Sequence, residues 1–181
     1  MTTSAERLPE LVWSAAQVRE FERRAIERGV SDYDLMCRAG EAALRVLEQR
    51  WPTARSLAIV CGAGNNAGDG LVVARLARAA SRSVSVLLVV PAERLKGAAA
   101  QAAAACRAAG VPLAAFDARA LAKADVVVDA LLASGLARAV DGDFRAAVGA
   151  INAAGVPVLG LDVPRGLHPD TRSPSRLALC P

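Results

Sequence analysis

The sequence lacks any long apolar run, although 54% of its 181 residues are hydrophobic. None of its apolar stretches approaches the roughly 18 residues that a membrane-spanning helix needs. Residues 1–10 are polar and do not show the basic-then-apolar layout of a secretory signal. These two absences argue against a membrane or exported protein and predict a cytoplasmic one.

Aromatic residues are also scarce, with two tryptophans, one tyrosine and three phenylalanines in the chain. The formal net charge of +4 is carried mostly by arginines that are scattered along the sequence. A nucleic-acid-binding surface is expected to cluster its basic residues and to interleave them with aromatics. The pattern therefore predicts no nucleic-acid partner and places the arginines on solvated helix faces.

Histidine and cysteine offer little for metal binding or nucleophilic catalysis. The only histidine, His168, is near the C-terminal end, where a surface position is expected. The four cysteines have no metal-site spacing, and free thiols are expected in a chain without a secretory signal. Cys61 ends an apolar stretch, which favours a structural role over a nucleophilic one. The other three are Cys37, Cys106 and Cys180.

The chain length predicts one domain, and two helices are expected at its start. Ser14-Ala-Ala-Gln17 is a capping-box sequence, which predicts a helix from there to about Arg28. A second helix is predicted over Asp32–Arg50, and Pro52 ends it. The apolar positions fall on one face of each helix: Val18, Phe21, Ala25 and Ile26, then Leu35, Met36, Ala39, Ala43, Val46 and Leu47.

After Pro52 the pattern changes to alternating strands and helices. Continuous valine-rich runs are typical of strands that are buried on both faces of a parallel sheet. The alternation predicts an α/β fold: a Rossmann-like, three-layer α/β/α domain with a mostly parallel sheet and two N-terminal helices. Residues 1–10 and 169–181 are expected to be loosely ordered. The predicted strands are Leu57–Cys61, Val84–Val90, Leu113–Phe116, Asp125–Asp129 and Val156–Leu161, and the predicted helices are Asp69–Ala80, Glu93–Ala109, Ala118–Lys123 and Phe144–Ala154.

The most informative segment is Ser56–Gly70, where an apolar strand leads into a glycine-dense turn and then a helix predicted from about Asp69. Glycines let the backbone approach a ligand closely, and a helix N-terminus favours phosphate. Gly62-x-Gly64-x-x-Ala67 formally satisfies the dinucleotide-binding fingerprint. However, no acid ends the second strand to bind a ribose, and the turn carries two asparagines. These features argue against a conventional nicotinamide dehydrogenase.

Polar side chains follow the ends of three predicted strands. Asn65, Asn66 and Asp69 follow the first strand, Asp129 ends the fourth and Asp162 follows the fifth. Ligands of open α/β sheets bind beyond the carboxyl ends of the strands, so these groups are expected to converge on one crevice. A carboxylate there would hold a cation or exchange protons with a ligand. The alternative is a cap that accepts hydrogen bonds from backbone N–H groups.

Five blocks of the sequence, taken in order, resemble the NAD(P)H-hydrate epimerase family with its YjeF N-terminal domain. Leu35-Met-Cys-Arg-Ala-Gly40 is similar to a family helix, and Gly62–Arg75 is close to the family's signature of glycines and asparagines. Leu95–Gly97, Val128–Leu136 and Leu161–Leu167 match its later blocks. The resemblance covers about residues 11–170. It implies an isomerase that interconverts the R and S epimers of hydrated NADH and NADPH, a form of metabolite repair.

The resemblance also implies roles for individual residues. Asp162 would be the acid/base group beside the reacting nicotinamide carbon, and Asn66 and Asp129 would be ligands of a potassium ion. The implied functional partner is an ADP- or ATP-dependent dehydratase that acts on the hydrated dinucleotides. The residues implied to contact the substrate are Asn65, Asn66, Ala67, Gly68, Asp69, Ala133, Ser134, Gly135, Leu136, Ala137, Arg138, Ala139 and Asp162.

The chain departs from the family pattern at Arg165, which stands where a serine ligand of potassium is usual. We expect the guanidinium to exclude or replace potassium and to pair with Asp129 or Asp162, which would weaken Asp162 as an acid. The chain also stops before the family's last strands, which predicts an exposed sheet edge and association, for example as a homodimer. Two interpretations stay open: an epimerase, active or impaired, and a non-catalytic nucleotide-binding scaffold or sensor.

Overall fold

The computed structural model describes residues 13–132 and 142–162 of the chain. Its strands are β1 (Ser56–Cys61), β2 (Ser83–Leu88), β3 (Leu113–Ala115), β4 (Val126–Ala130) and β5 (Val158–Gly160). They form one sheet in the order β3-β2-β1-β4-β5, and every neighbouring pair is parallel. This arrangement confirms the parallel α/β architecture that the alternating pattern predicts.

Two helices precede the sheet and three others connect or follow its strands. They are α1 (Ala15–Glu27), α2 (Asp32–Arg50), α3 (Asn65–Ala79), α4 (Gly97–Ala108) and α5 (Gly142–Ala153), with short 3₁₀ helices at Ala92–Arg94 and Ala118–Lys123. The capping box at the start of α1 is confirmed. The Ser14 hydroxyl accepts from the Gln17 N–H at 3.2 Å, and the Gln17 side chain accepts from the Ser14 N–H at 2.9 Å.

Each face of the sheet carries its own apolar core. Leu57, Ile59 and Cys61 of β1 join a core shared with α2, α3 and α4. The alternate residues Ala58 and Val60 join a second core with α5 and the neighbouring 3₁₀ helix. Because both faces of the sheet are covered, β1 and β4 are mostly apolar, as the three-layer prediction requires.

Glycines allow α2, α3 and α4 to pack closely on one side of the sheet. A Cβ atom on Gly40 of α2 would overlap the Val72 side chain of α3. A Cβ atom on Gly68 of α3 would likewise overlap the Met36 side chain of α2. These two close approaches fix the position of α3, whose first turn forms part of the candidate site.

The predicted apolar stripe of α2 is partly wrong. Ala39 and Val46 are exposed, whereas Gly40 and Leu44 are buried. Gly40, which carries no side chain, supplies one of the close contacts of α2 with α3. A hydrophobicity pattern does not record such a position, since glycine contributes little to an apolar stripe.

The apolar face of α1 stays exposed within the part of the chain that the structure describes. Trp13 and Phe21 pack edge to face with ring centroids 5.0 Å apart. Even so, Val18, Phe21 and Ile26 are each more than 40% exposed. The predicted stripe therefore identifies an amphipathic helix correctly, but its apolar side chains are not part of either core.

Several element boundaries differ from the sequence-based prediction. α3 begins at Asn65, four residues before Asp69, so both asparagines belong to its first turn. The helix predicted over Glu93–Ala109 is interrupted, because Leu95 and Lys96 are extended between the 3₁₀ helix and α4. Smaller changes shorten the predicted strands Val84–Val90 and Val156–Leu161 and make the predicted helix Ala118–Lys123 a 3₁₀ helix.

Several predictions fall outside the described residues and stay predictions. They concern the loop Ala133–Ala139, Arg165, His168, Cys180 and the terminal segments 1–10 and 169–181. Among the helices that the structure does describe, none combines the length and apolarity that crossing a membrane requires.

Candidate functional site

β1 and β4 are neighbours in the sheet, and the order of strands along the chain reverses between them. We call this place the switch point. In open α/β sheets, ligands bind beyond the carboxyl ends of the strands at such a reversal. The backbone leaves the two strands there at Gly62 and Leu131. Of the sequence-predicted site residues that the structure describes, residues 65–69 lie in α3 after β1, Asp129 lies in β4 and Asp162 follows β5.

Gly62 brings the segment after β1 directly against the segment after β4. Its N–H donates to the Ala130 carbonyl at 3.1 Å. A Cβ atom at this position would overlap the Leu131 carbonyl oxygen and would also lie 3.1 Å from the Phe144 ring. Only glycine fits without a backbone shift, which explains why the turn starts with this residue.

Asn66 connects the start of α3 to the segment after β4. Its side chain is 5% exposed, and the amide Nδ2 donates to the Leu132 carbonyl at 2.8 Å. The amide oxygen therefore points away from Leu132, because the two atoms lie on opposite sides of the amide group. Asn66 thus holds the start of α3 against the segment after β4, while its amide oxygen faces away from Leu132.

The start of α3 presents backbone donors rather than side-chain caps. Gly64 precedes the helix in an extended conformation, and no side chain of the described structure caps the helix there. The N–H groups of the first turn have no partners within a helix, and the helix dipole adds positive potential. Such a terminus suits a phosphate or another anion. The sequence predicted that the helix starts at about Asp69. Because α3 starts at Asn65 instead, these donors belong to residues 65–67.

Two of the predicted substrate contacts face the interior. Ala67 is fully buried, and its carbonyl accepts from the Cys61 thiol at 3.6 Å. Gly68 packs against Met36 and the backbone of Ala99. These two residues therefore offer a ligand only backbone atoms, whereas Asn65 is exposed at the first position of α3.

The cysteines near the site are structural within the described residues. Burial raises the pKa of the Cys61 thiol far above its ordinary value. Burial likewise raises the pKa of Cys106 to about 11, and its thiol donates to the Leu71 carbonyl at 2.9 Å. A nucleophilic cysteine needs a lowered pKa, so the expected structural role of Cys61 agrees with this environment.

Asp129 lies in β4 between two neighbouring strands, paired in register with Val60 of β1 and Gly160 of β5. One carboxylate oxygen accepts from the Leu131 N–H at 3.1 Å. Its backbone carbonyl accepts from the Leu161 N–H at 3.1 Å. Asp129 therefore performs the backbone-capping role that the sequence left open, at the position where a cation is also predicted.

Asp69 and Asp162 come together at the edge of the switch point. Asp69 is half-buried in the second turn of α3, and Asp162 is half-buried directly after β5. The pKa of Asp69 is raised from 3.8 to about 7, mainly by burial and then by the negative charges of Glu22 and Asp162. At neutral pH this carboxyl group is therefore divided between its protonated and ionised forms.

The amide and carboxylate oxygens at this end of the sheet are the kind of ligand that a hard monovalent cation prefers. Asn66 offers an amide oxygen and Asp129 a carboxylate, and carboxylate and carbonyl oxygens are the ligands that such cations prefer. Among the residues that the structure describes, no group of three histidine, cysteine or acidic side chains could hold a metal. Any cation here would therefore need amide or backbone oxygens as well as carboxylate.

The strand order, the open helix terminus and the crevice between β1 and β4 define a doubly wound, Rossmann-like α/β protein. Residues 32–181 match the family model of the YjeF-related protein N-terminus. The chain belongs to this family, which confirms the resemblance that the glycine- and asparagine-rich signature indicates.

Three relatives and neighbours show how far the similarity reaches. The chain is 50% identical over 161 residues to the bifunctional NAD(P)H-hydrate repair enzyme Nnr of Coxiella burnetii, covering 89% of this chain and 33% of that protein. It is 39% identical over 170 residues to the NAD(P)H-hydrate epimerase of Rhodobacter capsulatus, covering 90% and 80%. The crystal structure of yeast ynu0 has the same fold, with a TM-score of 0.81 and 22% identity over 92% of this chain and 76% of that one.

The chain spans about a third of the length of its bifunctional relatives.

One residue of the site, Glu22, was not anticipated from the sequence. It lies on α1, before the segment that matches the family model. Glu22 is an exposed residue of α1, and no motif or periodicity shows that its charge reaches Asp69, 47 positions further along the chain.

Proposed function

We propose that this protein is an NAD(P)H-hydrate epimerase, which interconverts the R and S epimers of hydrated NADH and NADPH. The observation that carries the proposal is an open helix N-terminus beside a pair of neighbouring carboxyl groups, Asp69 and Asp162, at one end of the sheet. A dinucleotide needs anion-binding donors, and an epimerisation needs proton transfer. The relatives named NAD(P)H-hydrate epimerase support the same activity.

In this proposal the backbone N–H groups of residues 65–67 bind the hydrated dinucleotide, and the loop Ala133–Ala139 binds its phosphates. Asn65 is exposed beside the crevice, and Asn66 is fixed by its bond to Leu132. Because the Ala67 and Gly68 positions are packed inward, they shape the crevice through the backbone. The site therefore recognises the substrate mostly with fixed dipoles, which need no reorganisation when the substrate binds.

Asp162 acts as the acid/base group at the hydrated nicotinamide carbon. It follows β5, where the Leu161 N–H is bonded to the Asp129 carbonyl, so the backbone just before it is anchored to the central sheet. A catalytic carboxyl group gains from such rigid support, because proton transfer requires a defined distance to the reacting atom. Asp129 is thus proposed both as a support for this backbone and as a cation ligand.

Potassium is proposed as the resident ion, held by the Asn66 amide oxygen and the Asp129 carboxylate. When bound, it would supply positive charge beside the substrate and fix the two side chains. The guanidinium of Arg165 is proposed to compete for this position, because it carries a fixed charge where the family pattern has a serine oxygen. The proposed functional partner is a dehydratase of the hydrated dinucleotides, in agreement with relatives that are named bifunctional repair enzymes.

The proposal is tested with purified R-hydrated NADPH and four proteins: the parent, Asp162→Asn, Arg165→Ser and the control Asp143→Asn. Asp143 is an exposed residue of α5 and should leave the rate unchanged. We expect the parent to accelerate epimerisation and Asp162→Asn to lower kcat by about 100- to 10,000-fold. Arg165→Ser should raise the dependence of the rate on potassium.

Two results would contradict this function. Equal rates for the parent and Asp162→Asn would remove Asp162 from the chemistry. Tight binding of the hydrated dinucleotide by a parent protein that never accelerates its epimerisation would instead establish a binding module.

A further inference from the structure

The candidate site contains a second carboxyl group that the proposed function leaves without a chemical step. Asp69 is half-buried on α3, close to Asp162 at the end of β5. Its neighbours along α3 are packed inward: Gly68 contacts α2 and α4, and Gly70 lies against β1 and β4. Asp69 therefore lies between two tightly packed positions of α3, with its own side chain half-buried.

The reaction itself requires two proton-transfer groups. The hydrated carbon of the nicotinamide ring carries a hydroxyl group and is bonded to the ring nitrogen, so it is a carbinolamine carbon. Its inversion requires the hydroxyl to leave from one face, which needs a proton donor. Water must then add to the other face, which needs a proton acceptor. One carboxyl group fixed on one side of the ring serves only one of these steps.

We propose that Asp69 is a second catalytic residue, which donates a proton to the departing hydroxyl while Asp162 accepts a proton from the water that adds on the opposite face. This assignment rests on the proposed function. It gives the two carboxyl groups different roles, as expected when an acid and a base share one site. The roles exchange when the reaction runs in the opposite direction.

The step balances in atoms and electrons. Asp69 gives its proton to the hydroxyl oxygen, the C–O bond breaks with its electron pair leaving on water, and the nitrogen lone pair forms a C=N bond. Water then forms the new C–O bond on the other face, the C=N pair returns to nitrogen, and Asp162 takes the proton. Nothing is oxidised or reduced. A proton passing from Asp162 to Asp69 restores the starting state.

The other polar groups of the site fit this role less well. The amides of Asn65 and Asn66 cannot exchange protons in the accessible pH range. Asp129 already accepts the Leu131 N–H and lies within a strand of the sheet. Asp69, in contrast, is half-buried near negative charge, which raises the pKa of its carboxyl group to about 7 and keeps a substantial fraction protonated at neutral pH.

Glu22 contributes to this environment from α1 as a positioning residue. The charges that reach Asp69 in the described structure are those of Glu22 and Asp162. Two arginines of α1 pair with other acids: Arg23 with Glu20 and Glu27, and Arg24 with Glu20. Because Glu22 is negative, its removal should make ionisation of Asp69 easier and reduce the protonated fraction at a given pH.

The test compares the pH dependence of kcat and KM for the parent, Asp69→Asn, Glu22→Gln and the control Glu27→Gln. We expect Asp69→Asn to lower kcat by about 100- to 10,000-fold with KM changed only a few-fold. Glu22→Gln should move the alkaline limb of the profile down by about 0.3 to 1 pH unit, and Glu27→Gln should leave it in place. Thermal melts establish that each variant is folded.

A carbon-13 NMR titration of the aspartate carboxyl groups keeps the inference testable should Asp69→Asn fail to fold. It should give Asp69 a pKa near 7 in the parent and a lower one in Glu22→Gln. Full kcat in Asp69→Asn, or an Asp69 carboxyl that titrates near 4, would overturn the role of Asp69 alone. A parent protein with no epimerase activity would overturn the proposed function and this role together.

Discussion

Asp69 is a carboxyl group that folding partly buries and brings near two other acids, Glu22 and Asp162. Its pKa rises to about 7 because burial and the charges of Glu22 and Asp162 disfavour the ionised form. Gly62 contributes through the absence of a side chain, because a Cβ atom there would overlap the Leu131 carbonyl oxygen. Two properties of single residues, a displaced pKa and a missing Cβ, therefore determine much of the chemistry and shape at the switch point.

The raised pKa makes stability depend on pH. Between the unfolded value of 3.8 and the folded value of about 7, the folded state holds more protons, so the parent loses stability as pH rises through this range. Asn at this position does not titrate. We expect Asp69→Asn to match the parent near pH 4 and to be more stable above pH 7, by at most about 4 kcal/mol. Melting temperatures measured from pH 4 to 8 check this, and a constant difference across the range would contradict it.

Gly62 and Gly64 form a matched pair for testing the close approach of the two segments. A Cβ atom on Gly62 would overlap the Leu131 carbonyl, whereas one on Gly64 meets nothing within 4 Å. We expect Gly62→Ala to lower the free energy of unfolding by about 2–4 kcal/mol and Gly64→Ala by less than about 1 kcal/mol. Denaturant unfolding gives both values, and equal losses would mean that the contact is not tight.

At the scale of elements, the start of α3 is the part that connects the rest of the site. It receives the chain from β1, packs on α2 through Gly68 and bonds to the segment after β4 through Asn66. The helix therefore cannot shift without widening the crevice. Rigid support of this kind suits a site in which backbone donors must face a ligand.

The Asn66 amide is the contact to test in this arrangement. Asn66→Ala leaves the Leu132 carbonyl without its donor, which should reduce the free energy of unfolding by about 1–3 kcal/mol. The control is Asn65→Ala, because Asn65 is exposed in the same turn, and it should change stability by less than about 0.5 kcal/mol. Comparable effects of the two substitutions in urea unfolding would show that the bond contributes little.

Most elements were predictable because their signals are local. The helix over Asp32–Arg50 and the start of the helix at the Ser14 capping box agree with the structure, and β1 extends its prediction by one residue. The start of α3 was missed, since two asparagines and four nearby glycines are typical of a turn. Packing of Gly68 and Gly70 against neighbouring elements stabilises a helix that local propensity does not favour.

The candidate site was predictable in part for the same reason. Strand ends place Asn66, Asp129 and Asp162 at one end of a parallel sheet, and the sequence pattern identifies those ends. The displaced pKa of Asp69 and the contribution of Glu22 were not predictable. They depend on where the fold places Glu22 and Asp162 relative to Asp69, which no periodicity or motif encodes.

At the scale of the whole molecule, the sheet brings together groups that are far apart in the chain. Residues from α1, α3 and the end of β5 meet around Asp69. The described structure also leaves apolar side chains exposed on α1 and on the outermost strand β5, where Val158 is 40% exposed. Association, for example as a homodimer, therefore stays a prediction, as does the single-domain organisation.

The measurement that tests the central claim most directly is the rate of interconversion of purified R- and S-hydrated NADPH, with and without the parent protein. NMR or chromatography can follow the approach to equilibrium from either epimer. We predict that the protein accelerates the approach from both sides without changing the final ratio, as a catalyst must. A rate equal to the spontaneous one at saturating protein, from either epimer, would contradict the account.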